Sequence, residues 1–160
     1  MGEHREEWIN HLNVWADQEF THIYYTLDWA GLGQAPESKW MDMPTTALLI
    51  CQCFGVVLQL FSLNESTTFF PLFTDPKVLP EHRIISMAWV KTDHFIMLNI
   101  AEDAPMPRPH AFWRTHVDKW TNPWLRLYMD RLERGKRLHP SNTTGKKSGL
   151  TLKKKKSRSV

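Results

Sequence analysis

The chain has 160 residues, 12% of them aromatic with eight Trp and eight Phe, enough for one domain with a real core and an appendage. Its net charge of +3 conceals a split: residues 133–160 carry ten Lys/Arg against one acid, a net of +9, and residues 1–132 are left at −6. A mildly acidic body gives no electrostatic case for a nucleic-acid groove, and no run of eighteen apolar residues is present to predict a membrane-spanning helix.

The charged start (Glu3, Arg5, Glu6, Glu7) has no signal-peptide core, and Glu6 stands where a myristoylation signal wants Ser or Thr. Two cysteines make no disulfide framework, so an intracellular, reducing location in the nucleus or cytoplasm is expected. The sequons at Asn64 and Asn142 carry no meaning there.

In chain order, Trp8, Ile9, Leu12, Trp15, Ala16, Phe20, Ile23 and Leu27 recur at helical spacing, predicting one or two helices over 3–29 with Trp8, Trp15 and Phe20 in the core. Residues 30–39 (AGLGQAPESK) read as a loop. Their glycine pair lacks the strand, third glycine and helix of a phosphate-binding fingerprint. A short helix follows at TTALLICQCF, with Pro44 in its first turn, Asp42, Thr45 or Thr46 as caps, and Gly55 ending it. Cys51 and Cys53 sit inside this helix, about 200° apart around its axis. They are poorly placed to share a metal and read as small core residues.

Val56–Phe61 (VVLQLF) is an apolar run suited to a strand buried on both faces. A polar turn leads to a second strand at Thr67–Leu72, kept short or at an edge by Pro71. A proline-bearing loop over 73–82 precedes two strands, Arg83–Val90 and His94–Ile100, joined by Lys91-Thr92-Asp93. Three prolines in residues 101–110 predict an extended path. Pro123 opens a last helix carrying Trp124, Leu125, Tyr128 and Leu132. Past Arg134, Ser, Thr, Gly and Lys dominate, so residues 135–160 are expected to be a disordered basic tail, a nuclear-import or nucleic-acid-contacting patch or an inert solvated end. The expected fold is α/β in the broad sense, of α+β type: a small mixed, mostly antiparallel sheet of about four strands flanked by helices.

His94 is the leading candidate for chemistry. A strand-end imidazole after a turn can be held rigidly yet face a cleft, the setting of a general base that activates a cysteine. Asp93 beside it is a weaker candidate for orienting it, because adjacent strand residues point to opposite faces. Ile96, two places on, shares the histidine's face and cannot orient it. Neither thiol suits a nucleophile, since apolar surroundings raise a thiol pKa. The other histidines have no ligand spacing, and His110 and His116 make only a weak metal signal. No cofactor and no metal are expected.

With these residues laid out, WMDMP, the apolar helix, GVVLQLFSL, TTFFPL, the proline-bearing loop, RIISMAWV, a short turn and HF resemble the order of elements in OTU-like (ovarian-tumour) cysteine peptidase domains. The nearest variant resembles the plant domains associated with transposase-derived proteins, where prolines, a Trp-Arg pair like Trp113-Arg114 and a Trp-containing helix also follow. The resemblance covers roughly 5–132, which makes 1–134 a partial OTU-like domain. It implies an α/β peptidase fold, ubiquitin or a ubiquitinated protein as partner, and His94 as general base, followed by the aromatic Phe95.

The chain departs from the family twice. It has no D-G-x-C nucleophile motif ahead of its helices, and Ile96 stands where many members carry Asp or Asn. The resemblance therefore implies a truncated domain without peptidase activity, unless an upstream segment supplies the cysteine. A central strand with few helices to cover it further predicts marginal stability or self-association. An alternative is a nuclear protein-interaction module with a nucleic-acid-contacting tail.

Overall fold

The computed structural model describes residues 22–23, 25–26, 28–41, 43–76, 82–91, 94–117 and 123–138. Trp8, Trp15, Phe20, Asp42, Asp93 and the tail from residue 139 lie outside the described residues. Helical backbone occurs at 22–23 and 25–26, and Ile23 is buried in the core. Lys39, in a 3-10 turn at Glu37–Lys39, donates to the carbonyls of Tyr25 (2.5 Å) and Asp28 (3.1 Å), a cation on carbonyls near the end of this helical stretch.

Helix α1, Thr45–Phe54, buries Thr46, Ala47, Leu48, Leu49 and Cys51. Among the described residues no side chain caps its start; Pro44 is the N-cap residue, and its carbonyl accepts from Leu48 N–H at 3.2 Å. Gly55 stops it with φ 61°, a left-handed conformation that a Cβ would strain. The turn leads directly into β1, Val57–Phe61.

β1 hairpins into β2, Thr67–Phe69, antiparallel to it with Leu58 opposite Phe69. Ser62 fastens the turn, its Oγ accepting from Glu65 N–H (3.1 Å) and donating to Glu65 O (2.8 Å). β2 is three residues long, shorter than the six-residue strand its sequence suggests, because Pro71 has no N–H to continue the ladder. The chain then passes α1, where Gln52 takes the N–H groups of Leu72 and Phe73 (2.9 and 3.0 Å) and donates to Thr74 Oγ1 (2.7 Å). This bracket satisfies backbone groups that no strand serves.

The chain re-enters the sheet on the other side of β1 as β3, Ile84–Val90, parallel to β1. β4, His94–Met97, returns antiparallel to β3. The order is β2-β1-β3-β4, a mixed sheet in which two of the three pairings are antiparallel, and with the helices it makes an α+β domain. β4 ends before the Ile100 that its apolar run suggests, although Leu98 N–H still donates to Ser86 O at 2.8 Å.

The extended segment after β4 crosses the molecule to β2. Thr68 N–H donates to Arg108 O (2.9 Å) and His110 N–H to Thr68 O (3.0 Å), so the proline segment lies alongside β2 like a fifth strand. Helix α2, Ala111–His116, follows; its aromatic-rich sequence shows no helical period. His110 caps it, Nδ1 accepting from Phe112 N–H at 3.2 Å. Helices α3, Pro123–Leu127, and α4, Met129–Leu138, close the described chain.

Helix α4 corrects the expected boundary at residue 134. Gly135 is buried, and a Cβ there would sit 1.8 Å from the Met106 carbonyl oxygen, so the helix continues to Leu138 because its backbone packs against the segment 104–107. The core gathers around Phe70, whose ring lies 5.1 Å from Trp113, 5.9 Å from Trp124 and 5.8 Å from Tyr128. Both buried indoles find acceptors, Trp113 Nε1 at Pro71 O (3.2 Å) and Trp124 Nε1 at Thr74 O (2.7 Å). Among the described residues no helix is long and apolar enough to cross a membrane.

Candidate functional site

The β3–β4 hairpin positions His94. Lys91 enters the turn with φ 52°, a left-handed residue that tightens the connection, and His94, opposite Val90, begins β4. Alternation along the strands sets two faces. His94 and Ile96 share one with Ala88 and Val90 across the ladder; Phe95 and Met97 share the other with Trp89 and Met87. Phe95 stacks on Trp89 with centroids 6.3 Å apart and planes 18° apart, which anchors the hairpin beneath the histidine. The imidazole itself is exposed, and so is Ile96 on the same face. Asp93 lies outside the described residues, so its orientation toward His94 stays an expectation.

The thiols lie elsewhere. Cys51 is fully buried, and its Sγ donates to Phe69 O at 3.4 Å, beneath the β2 end of the sheet. Burial drives this thiol far above its ordinary range, with a backbone contact from Leu58 offsetting little of the effect. His94 starts the strand at the opposite end of the sheet order, three strand spacings away, and its level in the ladder is five residues from that of Phe69. Strand spacing and rise together put the imidazole and this sulfur roughly 20 Å apart. No hydrogen bond spans that gap, and a buried neutral thiol is not a nucleophile.

Cys53 corrects the expectation that both cysteines are core residues. The helical turn that buries Cys51 rotates Cys53 to the exposed side. Its thiol too is raised by the burial that remains. Neither cysteine stands at a helix N-terminus, where a thiolate would be stabilised.

Three of the other described histidines, His110, His116 and His82, make structural contacts. His110 caps α2 and stacks on Phe69 at 4.9 Å, and burial lowers its pKa, with Glu65 raising it and Arg114 lowering it further. His116 lies 4.1 Å from the Phe112 ring and within 2.8 Å of Phe112 O. His82 shares a hydrogen bond with Tyr128 Oη and meets Trp124 edge-on at 4.8 Å. Only the fold joins these residues, 46 apart in sequence, and no local pattern announces the pair. Among the described residues no group of three or more His, Cys, Asp or Glu is placed to hold a metal ion. The candidate site is thus the exposed His94 imidazole on an aromatic-backed hairpin, a group able to donate and accept hydrogen bonds. No family model, curated protein or solved structure matches this chain.

Proposed function

We propose that the chain is the histidine-bearing part of an OTU-like cysteine peptidase domain without a competent nucleophile, and that it binds ubiquitin or a ubiquitinated protein without cleaving it. The observation that carries this reading is the mismatch at its centre. An exposed imidazole opens β4, while one thiol is sealed under β2 and the other sits on an ordinary helix surface with its pKa raised. Further support comes from the order helix, hairpin, parallel return strand and histidine strand, followed by the proline segment and Trp113-Arg114. In this reading His94 occupies the general-base position and has no thiol to deprotonate, so covalent catalysis is lost.

The test uses a ubiquitin with a C-terminal electrophile. No adduct is expected, and a covalent adduct at Cys51 or Cys53 would overturn the inactive reading. Titration of labelled protein with ubiquitin should shift resonances along β3 and β4; unchanged spectra at high ubiquitin would remove the binding role.

The charge split favours a second reading. A net +9 over residues 133–160 suits a nuclear interaction module that contacts nucleic acid through its tail. Its signature is salt-dependent DNA binding that disappears when residues 139–160 are deleted. In both readings the chain works in the nucleus or cytoplasm.

A further inference from the structure

The β3–β4 ladder fixes which backbone groups of β4 remain open. Leu98 N–H bonds Ser86 O, so Ser86 and Leu98 form a hydrogen-bonded pair. Antiparallel alternation then makes Ala88–Ile96 and Val90–His94 hydrogen-bonded pairs as well. Phe95 and Met97 fall between them, and their N–H and C=O groups point away from the sheet. Nothing among the described residues meets those groups. The edge also lacks the usual protections: HFIM has no lysine, no proline and no bulge. Past His94 its side chains are apolar on both faces, with Ile96 46% and Met97 69% exposed beside Trp89 at 43%.

We propose that β4 pairs with β4 of a second copy of this chain about a two-fold axis through Ile96, joining two four-stranded sheets into one. The argument is self-complementarity. With Ile96 opposite Ile96 of the second copy, the outward amides of Phe95 and Met97 meet those of Met97 and Phe95 across the axis and complete a hydrogen-bonded ladder. On one face each Phe95 ring then lies beside a methionine thioether, a favourable contact. On the other, Ile96 packs on its copy and each His94 faces a Leu98, so no like charges are opposed. Shifting the register by two residues either way gives up part of this match by pairing Met97 with Asp93 or Phe95 with Asn99.

The exposed apolar surface on Trp89, Ile96 and Met97 is roughly 300–400 Å² per protomer, about half of the ~800 Å² per partner of a standard interface. The association is therefore weak and concentration-dependent, in the micromolar range. It flanks both His94 side chains with the partner's edge, so dimer formation and access to the histidine compete.

Sedimentation of the full chain from about 1 to about 200 µM tests this. The weight-average mass should rise from one chain toward two, and Met97→Lys should weaken association about tenfold or more. In a Cys53→Ser background, Ile96→Cys should form a disulfide-linked dimer on mild oxidation. The paired Cα atoms would be about 4.5 Å apart, within the span of a disulfide. Leu63→Cys, fully exposed in the β1–β2 turn, is the control for random collision. A constant monomer mass, a mass that climbs beyond two chains, or equal cross-linking of Ile96→Cys and Leu63→Cys would overturn the proposal.

Discussion

At the β2 edge of the sheet, Thr68 donates its N–H to Arg108 O and accepts His110 N–H, and its hydroxyl donates to Pro107 O at 2.7 Å. At the β4 edge, nothing among the described residues covers the outward amides of Phe95 and Met97, and Met97 is 69% exposed. The difference continues into the faces. Leu58, Gln59, Thr68 and Phe69 are buried, so β1 and β2 are covered on both sides, whereas β3 and β4 are partly exposed on both. One half of the sheet is thus finished by the chain's own later segments, and the other offers a template. The covering segment is rich in proline, which suits an edge cover. Its carbonyls accept from β2, while a missing N–H leaves little outside to template further pairing.

Trp113→Ala should do most to break this contrast. The indole is fully buried against Phe70 and anchors α2 to Pro71 O, just beyond the segment that closes β2. Its removal leaves a large cavity and an orphaned carbonyl, at a cost of about 3–5 kcal/mol. Chemical denaturation should show the loss, together with faster amide exchange at Thr68. Protection at Thr68 that tracks wild type would mean that the closed edge does not depend on α2.

Gly135→Ala comes next. Alanine favours a helix over glycine by about 1 kcal/mol, so on propensity alone it should stabilise α4. Here its Cβ would sit 1.8 Å from Met106 O, and Met106 N–H is bonded to Arg131 O at 3.0 Å, so the clash falls on backbone held in place. A net loss of about 2 kcal/mol is expected. The variant should also loosen the covering segment and expose a second sheet edge, so that higher-order association appears at concentrations where the wild-type chain stops at two copies. A rise in melting temperature would refute the close-packing account.

The hairpin around His94 was legible in the sequence because its determinants are local. The apolar runs of β1, RIISMAWV and HFIM fix strands, and the polar turn between the last two fixes their pairing. The covering segment was legible only as an extended path. Its partner, Thr68, lies about forty residues away, and nothing in AEDAPMPRPH names it. Helix α2 has a single buried side chain, Trp113, in six residues and so no period to read. Gly135 stands among Arg134, Lys136 and Arg137, where composition suggests the start of a tail; its role depends on a backbone contact that no residue type announces. The two cysteines could be placed on one helix from sequence, but which of them the fold buries required the sheet beneath.

The smallest effect expected also belongs to the closed edge. His110 accepts Phe112 N–H through Nδ1 and stacks on Phe69, a role that requires the neutral imidazole. Burial lowers its pKa below the ordinary 6.5, and Arg114 adds to this while Glu65 opposes it. The unfolded chain therefore takes up the proton first. The contribution of this residue is fully present above pH 6.5 and is lost as pH falls through the lower folded value. His110→Asn keeps a side-chain oxygen for the cap and removes the titration. Its melting temperature should fall less between about pH 7.5 and about pH 5 than that of the wild type, by an amount small enough to need matched buffers. Parallel slopes for the two proteins would show that the acid sensitivity of the fold lies elsewhere than at the cap joining the covering segment to α2.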